Sequence, residues 1–348
     1  MRASSFFVQK LKGHFAGSKY FFILMIAVIE TSGSAEARIL AVGPDAEFKR
    51  PSDAVAVAAD GDVIEVAPGE YFDCAIIRQN QLVIEGAGAG VVLTDRTCEG
   101  KALLIARGGD LTIRNLTFAR ARVPGGNGAG IRVERGNLAV EHSRFIDNET
   151  GILVDDLPRN AIRVSDSVFE KNGRCEATCA HGINVGQVAL LSIDSTRIAG
   201  TRGGHHIKSG ALRTELIADD IEDGPEGTAS FLVELPNGGD LLMEKNRLQK
   251  GPRSTNPQAA VVIDDGETQL KTKNLVFLDN KFANETGGHT VFLRNFSDLD
   301  PIFNGNVMSG DTTGISSRGY LLHKVREVMW ETKGYMRSLV QRVRALVK

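Results

Sequence analysis

The feature of this sequence that most constrains its fold is a short motif that recurs along most of the chain. In each copy apolar residues alternate with polar ones, a polar stretch follows, and one apolar residue closes the motif. The closing residues lie 23 to 34 positions apart, and a repeat of this irregular length indicates a coil with loops of variable size. They are Phe118, Phe145, Phe169, Ile198, Ile221, Leu248, Phe282 and Met308.

A second set of short runs follows the copies of the motif, and its apolar residues recur with a period of two. This period is typical of strands that bury one face. Because one turn cannot bury its own apolar face, successive turns must stack. We therefore predict an all-β fold, a single-stranded right-handed parallel β-helix with two or three strands in each turn. The runs are 131–133, 152–154, 183–185, 207–209, 231–233, 261–263 and 291–293.

Helical patterns flank the predicted β-helix, which we assign to residues 38–317. Residues 51–60 indicate a capping helix at the N-terminal end, with Ser52 as its candidate N-cap. Residues 318–348 have apolar side chains near helical spacing and carry eight Lys and Arg against two Glu. We expect this basic amphipathic helix either to cover the solenoid or to make peripheral contact with an anionic membrane or polymer.

Residues 1–37 have the organisation of a secretory signal peptide. Four basic residues lead into an apolar run at 20–29, and Ala35-Glu36-Ala37 supplies small residues for cleavage. The run is about half the length that spans a bilayer, so an uncleaved anchor is the weaker alternative. We expect an exported protein, in the periplasm or outside the cell.

The four cysteines fit an oxidising compartment. Cys175 and Cys179 are close in sequence, while Cys74 and Cys98 lie 24 positions apart, about one turn of the predicted coil. Two local disulfides are therefore the first interpretation. Four buried thiols and a metal site are the alternatives, although Cys-x3-Cys lacks a second matched pair.

Composition narrows the classes of partner. The chain has 41 Lys and Arg against 43 Asp and Glu and a single tryptophan, so it lacks the basic field and stacking aromatics of a nucleic-acid binder. Without the four basic and two acidic residues of 1–37 and the eight and two of 318–348, the predicted solenoid holds 29 basic and 39 acidic residues. Such an acidic solenoid favours calcium as its candidate cofactor, with no ligand set assigned.

Three segments carry a resemblance to a known superfamily. Residues 61–71 (GDVIEVAPGEY), after the helical run, resemble the first turn of pectin-lyase-like right-handed parallel β-helix proteins. Residues 202–211 (RGGHHIKSGA) and 222–239 (EDGPEGTASFLVELPNGG) resemble exported bacterial β-helix proteins with a Gly-His-x-Ile-Lys-Ser-Arg-Ala-like signature, whose Arg is replaced here by Gly210. The resemblance implies the fold over about residues 40 to 310 and only suggests an activity.

Stacking places outward side chains of the second set of runs in columns. Adjacent turns are about 4.8 Å apart, so Asn184, His206, Lys208 and Glu234 are expected to surround one sugar-sized ligand. Arg132, about three turns from Lys208, would serve a different subsite. In this alignment one column holds Arg132, Leu153, Asn184, Lys208 and Leu232, and the next holds Glu134, Asp155, Gly186, Gly210 and Glu234.

These residue types suit β-elimination or C5 epimerisation of a uronic acid. We assign Lys208 as the base, His206 as the acid or carboxylate partner, and Arg202 or Arg213 as the carboxylate clamp. The obstacle is Glu234, which would keep the Lys208 ammonium protonated. Two hypotheses follow: an exported polysaccharide-binding protein that acts as a lyase or epimerase on an acidic glycan, or a non-catalytic cell-envelope protein that binds glycan or protein partners.

Overall fold

A computed structural model describes residues 37–176, 178–266 and 270–317 of this chain. These residues form an all-β solenoid in which the chain visits three parallel sheets in turn, about ten times over. The fold class predicted from the repeat is confirmed, and each complete turn has three strands. The predicted signal peptide and the predicted basic helix at 318–348 lie outside the described residues.

Each sheet takes one strand from every turn. Sheet 1 contains β1 (Ile39–Val42), β2 (Val63–Val66), β5 (Gln81–Gly86), β8 (Asp110–Arg114), β11 (Asn137–Glu141), β14 (Leu157–Ser165), β17 (Val188–Asp194), β20 (Arg213–Ile217), β23 (Asp240–Glu244), β26 (Leu275–Leu278) and β29 (Ile302–Asn304). Sheet 2 contains β3 (Gly69–Tyr71), β6 (Val91–Thr94), β9 (Thr117–Ala119), β12 (Arg144–Ile146), β15 (Val168–Glu170), β18 (Arg197–Ala199), β21 (Asp220–Glu222), β24 (Arg247–Lys250), β27 (Lys281–Asn284) and β30 (Val307–Ser309). Sheet 3 contains β4 (Ala75–Ile77), β7 (Ala102–Ala106), β10 (Ala129–Val133), β13 (Thr150–Val154), β16 (Ile183–Val185), β19 (His205–Ser209), β22 (Phe231–Leu235), β25 (Ala259–Ile263), β28 (Thr290–Asn295) and β31 (Thr312–Ser317).

The recurring motif spans the end of a sheet 1 strand, a sharp corner and a sheet 2 strand. Its closing phenylalanines point inward, and Phe145 stacks between Phe118 and Phe169 with ring centroids 5.0 and 4.5 Å away. The corner residue is left-handed in seven successive turns although it is not glycine in any of them. Those residues are Asn115, His142, Asp166, Ser195, Ala218, Lys245 and Asp279.

A buried polar ladder follows this corner. In the last turns its rungs are Asn246, Asn280 and Asn306, and each Nδ2 donates to a carbonyl of sheet 1 at 2.8 or 2.9 Å. Asn246 and Asn280 also donate from Nδ2 to Oδ1 of the next rung. The ladder satisfies main-chain groups that the left-handed corner removes from the sheets, so the turns stack without unpaired polar atoms at these rungs.

A short helix, α1 (Pro51–Val57), lies between the first two strands of sheet 1 and buries Pro51, Ala54 and Val55. The predicted capping helix is confirmed, but the N-cap assigned to Ser52 is wrong. Proline takes the first helical position, so Ser52 lies inside the helix, where its hydroxyl and N–H both donate to Asp73.

Both disulfides expected from the spacing are present, Cys74–Cys98 and Cys175–Cys179. The thiol and metal alternatives for these four cysteines are therefore excluded. Within the described part of the chain, no helix has the length and apolar character needed to cross a membrane.

Candidate functional site

The outer face of sheet 3 carries the predicted column of polar side chains. Register pairs Leu153 with Asn184, Asn184 with Lys208, and Lys208 with Glu234. The alignment that placed Leu232 beside Lys208 is therefore wrong by two residues, and Leu232 lies in the core. From one end to the other the column reads Ile76, Ile105, Arg132, Leu153, Asn184, Lys208, Glu234, Val262 and Arg294.

The sheet 3 strands break the alternation of inward and outward side chains just before this column. In β22, β25 and β28 two consecutive residues enter the core: Leu232 with Val233, Ala260 with Val261, and Phe292 with Leu293. In the turns of the stacked phenylalanines the first position is glycine, because a Cβ on Gly130 or Gly151 would lie 2.8 Å from a phenylalanine ring. His206 occupies this first inward position in β19.

The surface position assigned to His206 is consequently wrong. Its side chain is fully buried, with Nε2 2.9 Å from Asp223 Oδ1 and Nδ1 2.8 Å from Thr201 Oγ1. Burial raises the pKa of Asp223, but the hydrogen bond and charge of His206 outweigh it, so the pKa stays below its usual value. Because His206 is enclosed, it has no contact with a sugar at the surface and positions the strand from inside.

His205 takes the outward position that had been assigned to His206. Its ring stacks between His181 and Phe231, with ring centroids 4.9 and 5.1 Å away. Its Nδ1 accepts the Phe231 N–H, and its Nε2 lies 3.1 Å from Glu234 Oε2. Because Nδ1 accepts this main-chain hydrogen bond, Nε2 is the ring nitrogen that faces Glu234.

The His181 ring continues the same arrangement one turn earlier. Its Nδ1 accepts the His205 N–H at 3.0 Å. Burial, then the neighbouring His205 and Lys208, lower the pKa of His181 to about 3, so it is neutral at ordinary pH. His181 and His205 thus form a stacked, hydrogen-bonded structural element.

The Glu234 carboxylate contacts both Lys208 and His205. Its Oε2 lies 3.1 Å from Lys208 Nζ as well as from His205 Nε2. Burial raises the pKa of Glu234, but the hydrogen bond and charge of His205, followed by the charge of Lys208, outweigh it and lower the pKa to about 2. Lys208 therefore faces an ionised carboxylate.

Asp265 is a member of the site that the sequence reasoning missed. It is exposed in the loop after β25. Partial desolvation and then the charge of Glu234 raise the pKa of Asp265, while the charges of Lys208 and His205 oppose this shift. The repeats could not locate it, because this loop has no counterpart in other turns. The sequence signal for this residue was the Asp264-Asp265 pair at the end of a strand.

The three predicted arginines do not converge on Lys208. Arg132 is bound to Asp155 at 2.7 Å, and Arg213 begins a sheet 1 strand and binds Glu215 at 2.6 Å. Arg202 binds Asp147 at 2.9 Å and lines a separate cleft of about 410 Å³. The pocket at Lys208 thus consists of Asn184, His205, Lys208, Glu234 and Asp265, and we call these five residues the Lys208 pocket.

A metal centre is not part of this arrangement. Among the residues that the structure describes, no three His, Cys, Asp or Glu side chains are grouped as ligands of one ion. Calcium, the candidate cofactor, is therefore not confirmed by the described residues.

Comparison with known proteins places the fold. No protein-family model and no curated protein matches the sequence. A solved pectate lyase, Pel9A, superposes with a TM-score of 0.53 at 13% identity over 82% of this chain and 80% of the lyase.

Two further solved structures resemble the chain less. The pectin methylesterase from Aspergillus niger gives a TM-score of 0.42 at 13% identity over 81% of this chain and 92% of its own. Tailspike gp49 of Acinetobacter baumannii bacteriophage Fri1, a capsular polysaccharide depolymerase, gives a TM-score of 0.44 at 10% identity over 81% of this chain and 62% of the tailspike. Together with the three stacked sheets, the Pel9A match shows that this protein has the pectin-lyase-like parallel β-helix fold.

Proposed function

We propose that this chain is an exported polysaccharide-binding β-helix protein, and that the Lys208 pocket takes an acidic, uronate-containing sugar. The observation that carries the proposal is the Lys208 ammonium, partly exposed on the outer face of sheet 3 and held in place by Glu234 at 3.1 Å. A fixed cation beside the Asn184 amide and two carboxyl groups offers donors and acceptors for both the carboxylate and the hydroxyls of such a sugar.

The two disulfides support export, because such bonds persist in oxidising compartments. The solved β-helix proteins that the chain resembles include polysaccharide-acting ones, which agrees with a glycan partner and does not identify it. Membrane contact through 318–348 and the absence of nucleic-acid binding stay predictions.

Binding is tested with a panel of acidic glycans, including polygalacturonate, alginate and hyaluronate, against a neutral glucan, by isothermal titration calorimetry. Lys208→Ala should weaken binding of the acidic glycan about tenfold or more, since a charge-assisted hydrogen bond contributes roughly 1.5–3 kcal/mol. Lys245→Ala is the matched control, because Lys245 is an exposed corner lysine that pairs only with Glu244. Equal losses in both variants, or no binding by the wild type, would contradict the proposal.

Catalysis by elimination is the second candidate, and one observation favours it. The pKa values of the two carboxyl groups of the pocket are shifted in opposite directions, with that of Glu234 lowered and that of Asp265 raised. Acid–base catalysis by a pair of carboxyl groups requires such a difference. A sugar carboxylate that takes over Lys208 would leave Glu234 to His205 alone and raise the pKa of Glu234. Glu234 would then remove the C5 proton, a C4–C5 double bond would form as the C4–O bond breaks, and Asp265 would protonate the departing oxygen.

This assignment moves the base from Lys208 to Glu234. Unsaturated uronates absorb in the ultraviolet, so turnover of the glycan that binds best is followed directly. Glu234→Gln should abolish the absorbance increase and retain binding. If glycans of the panel bind but none of them yields a product, the result supports the non-catalytic alternative.

A further inference from the structure

The Lys208 pocket is closed along the solenoid axis on both sides, although it lies on a continuous sheet. In the outer column the residues on either side of the polar positions are apolar and buried: Leu153 is 7% exposed and Val262 is 1% exposed. Between them, the Lys208 side chain is 35% exposed. An outward side chain is buried only where something covers it, and Glu234 is itself only 7% exposed. The open stretch is therefore limited to the turns of Asn184 and Lys208.

The cover on the N-terminal side can be identified. The chain from Cys98 to Ala102 folds back in a tight antiparallel turn before β7, and the Cys74 disulfide fixes it. From this turn Lys101 reaches Glu134 at 2.7 Å, and Glu99 accepts a hydrogen bond from Arg107 at 2.8 Å. Arg107 and Glu134 follow strands β7 and β10, so these ion pairs cross the outer face of sheet 3. We call Glu99, Lys101, Arg107 and Glu134 the clasp.

The clasp covers an apolar patch that is separate from the core. Ala102, Ile105, Ala129 and Leu153 form this patch, with Ile76 and Cys98 packed against it. Ile105 is 0% exposed although it lies in the same outward column as Lys208. The Arg132–Asp155 pair at 2.7 Å continues the cover to the turn of Leu153. A glycan that ran along the axis from Lys208 would reach the covered turn of Leu153 after two turns, about 10 Å.

On the other side, the column is buried from Glu234 onward, because Glu234 is 7% exposed and Val262, its partner in the next turn, is 1% exposed. The distance between the buried positions Leu153 and Glu234 is three turns, about 14 Å, and the open length is on the order of 10 Å. That length suits one or two sugar units.

We propose that the Lys208 pocket binds the end of an acidic glycan chain, or a short acidic oligosaccharide, and rejects the interior of a polymer. This inference rests on the proposed function and specifies which part of the glycan is bound. If the pocket is also catalytic, it releases units from one chain end.

The test uses the wild-type protein with di-, tetra- and octasaccharides of galacturonate and of guluronate and with the parent polymers. Affinity is measured by calorimetry and expressed per mole of chains. We expect a dissociation constant that is the same within about twofold from the tetrasaccharide to the polymer, with a loss of tenfold or more when one of the two chain ends is blocked by a bulky label.

Two other results would each decide against the inference. Affinity per chain that rises in proportion to chain length, and that is unaffected by blocked ends, overturns the end-binding mode and leaves the proposed function standing. No binding at any length, or equal binding by Lys208→Ala, overturns the proposed function and this inference with it.

A clasp variant supplies an independent measurement. Lys101→Ala combined with Glu134→Ala removes the ion pair that crosses sheet 3, and it should increase the affinity for the octasaccharide relative to the tetrasaccharide by threefold or more. Lys245→Ala should leave that ratio unchanged. An unchanged ratio in a folded clasp variant contradicts the assigned role of the clasp, and the wild-type length series decides the matter if that variant does not fold.

Discussion

Asp219 is an acidic rung of the buried polar ladder, between Thr196 and Asn246, and its burial makes a quantitative prediction. Its Oδ1 accepts the Thr196 N–H at 2.9 Å, and its N–H donates to Asn246 Oδ1 at 2.8 Å. Its buried Oδ2 has no hydrogen-bond partner among the described residues. The two rungs that follow, Asn246 and Asn280, carry Nδ2 at this place and donate to a sheet 1 carbonyl and to the next Oδ1. By analogy, we expect Asp219 Oδ2 to face acceptors and to need a proton.

The size of the effect follows from linkage between protonation and folding. Burial is the main cause that raises the pKa of Asp219, from 3.8 to about 8. Because the folded pKa lies above the unfolded one, the folded state binds one more proton between these values, and stability falls with rising pH by about 1.4 kcal/mol per unit. The penalty is absent below pH 4, reaches about 4 kcal/mol at pH 7, and is constant above about pH 8.

Asp219→Asn should remove this penalty and complete the ladder. We expect the stability difference between variant and wild type to grow by about 3 kcal/mol between pH 5 and pH 7, measured by urea unfolding followed by circular dichroism. Taking the difference in stability between the two proteins cancels the contributions of other groups that titrate in both. Asn246→Asp is the control, and we expect it to become less stable than the wild type as the pH rises. This variant places a carboxylate opposite the same kinds of acceptor. A difference that does not change with pH would show that Asp219 is already ionised in the folded protein, and would refute the reasoning.

Three further changes test the packing and the corrected positions. His206→Ala should lower the free energy of unfolding by roughly 3–5 kcal/mol in urea titration, because it leaves the buried Asp223 without its partner; a loss below about 1 kcal/mol would mean that His206 is not enclosed. Phe145→Ala should cost about 3–5 kcal/mol by the same measurement, whereas Phe72→Ala, at an exposed phenylalanine, should change it by less than about 0.5 kcal/mol. Replacing Cys74 and Cys98 together with serine should lower the stability by about 3 kcal/mol, since the bond closes a loop of 24 positions; an unchanged urea midpoint would contradict it.

The architecture could be predicted because the information that specifies it is local and repeated. Alternating residues mark strands, and the closing apolar residue after a polar corner marks where one sheet gives way to the next. The left-handed corner is the part that residue type alone did not reveal, since Lys245 and Ala218 adopt it as readily as Asn115. The stacking of neighbouring turns and the asparagine ladder impose this conformation, and neither is a property of a single residue.

The site was harder to predict because one break in alternation reverses which neighbour faces outward. His206 and His205 are adjacent, and strict alternation from Ile207 made His206 the outward one. The position before the inward Ile or Val holds Gly130, Gly151 and Gly182 in three turns and an apolar residue in β22, β25 and β28. A position that never holds a charge is an interior one, so this comparison across turns could have placed His206 in the core.

The identity of residue 234 determines what Lys208 can do. Parallel stacking brings two residues that are 26 positions apart to one strand spacing, where Lys208 Nζ and Glu234 Oε2 form an ion pair at 3.1 Å. In the proposed binding mode a ligand carboxylate competes with Glu234 for this ammonium, so Glu234, which also contacts His205, is the group whose proton affinity changes most. The proposed function therefore uses Lys208 to recognise an acidic sugar, and any proton transfer there would pass through Glu234.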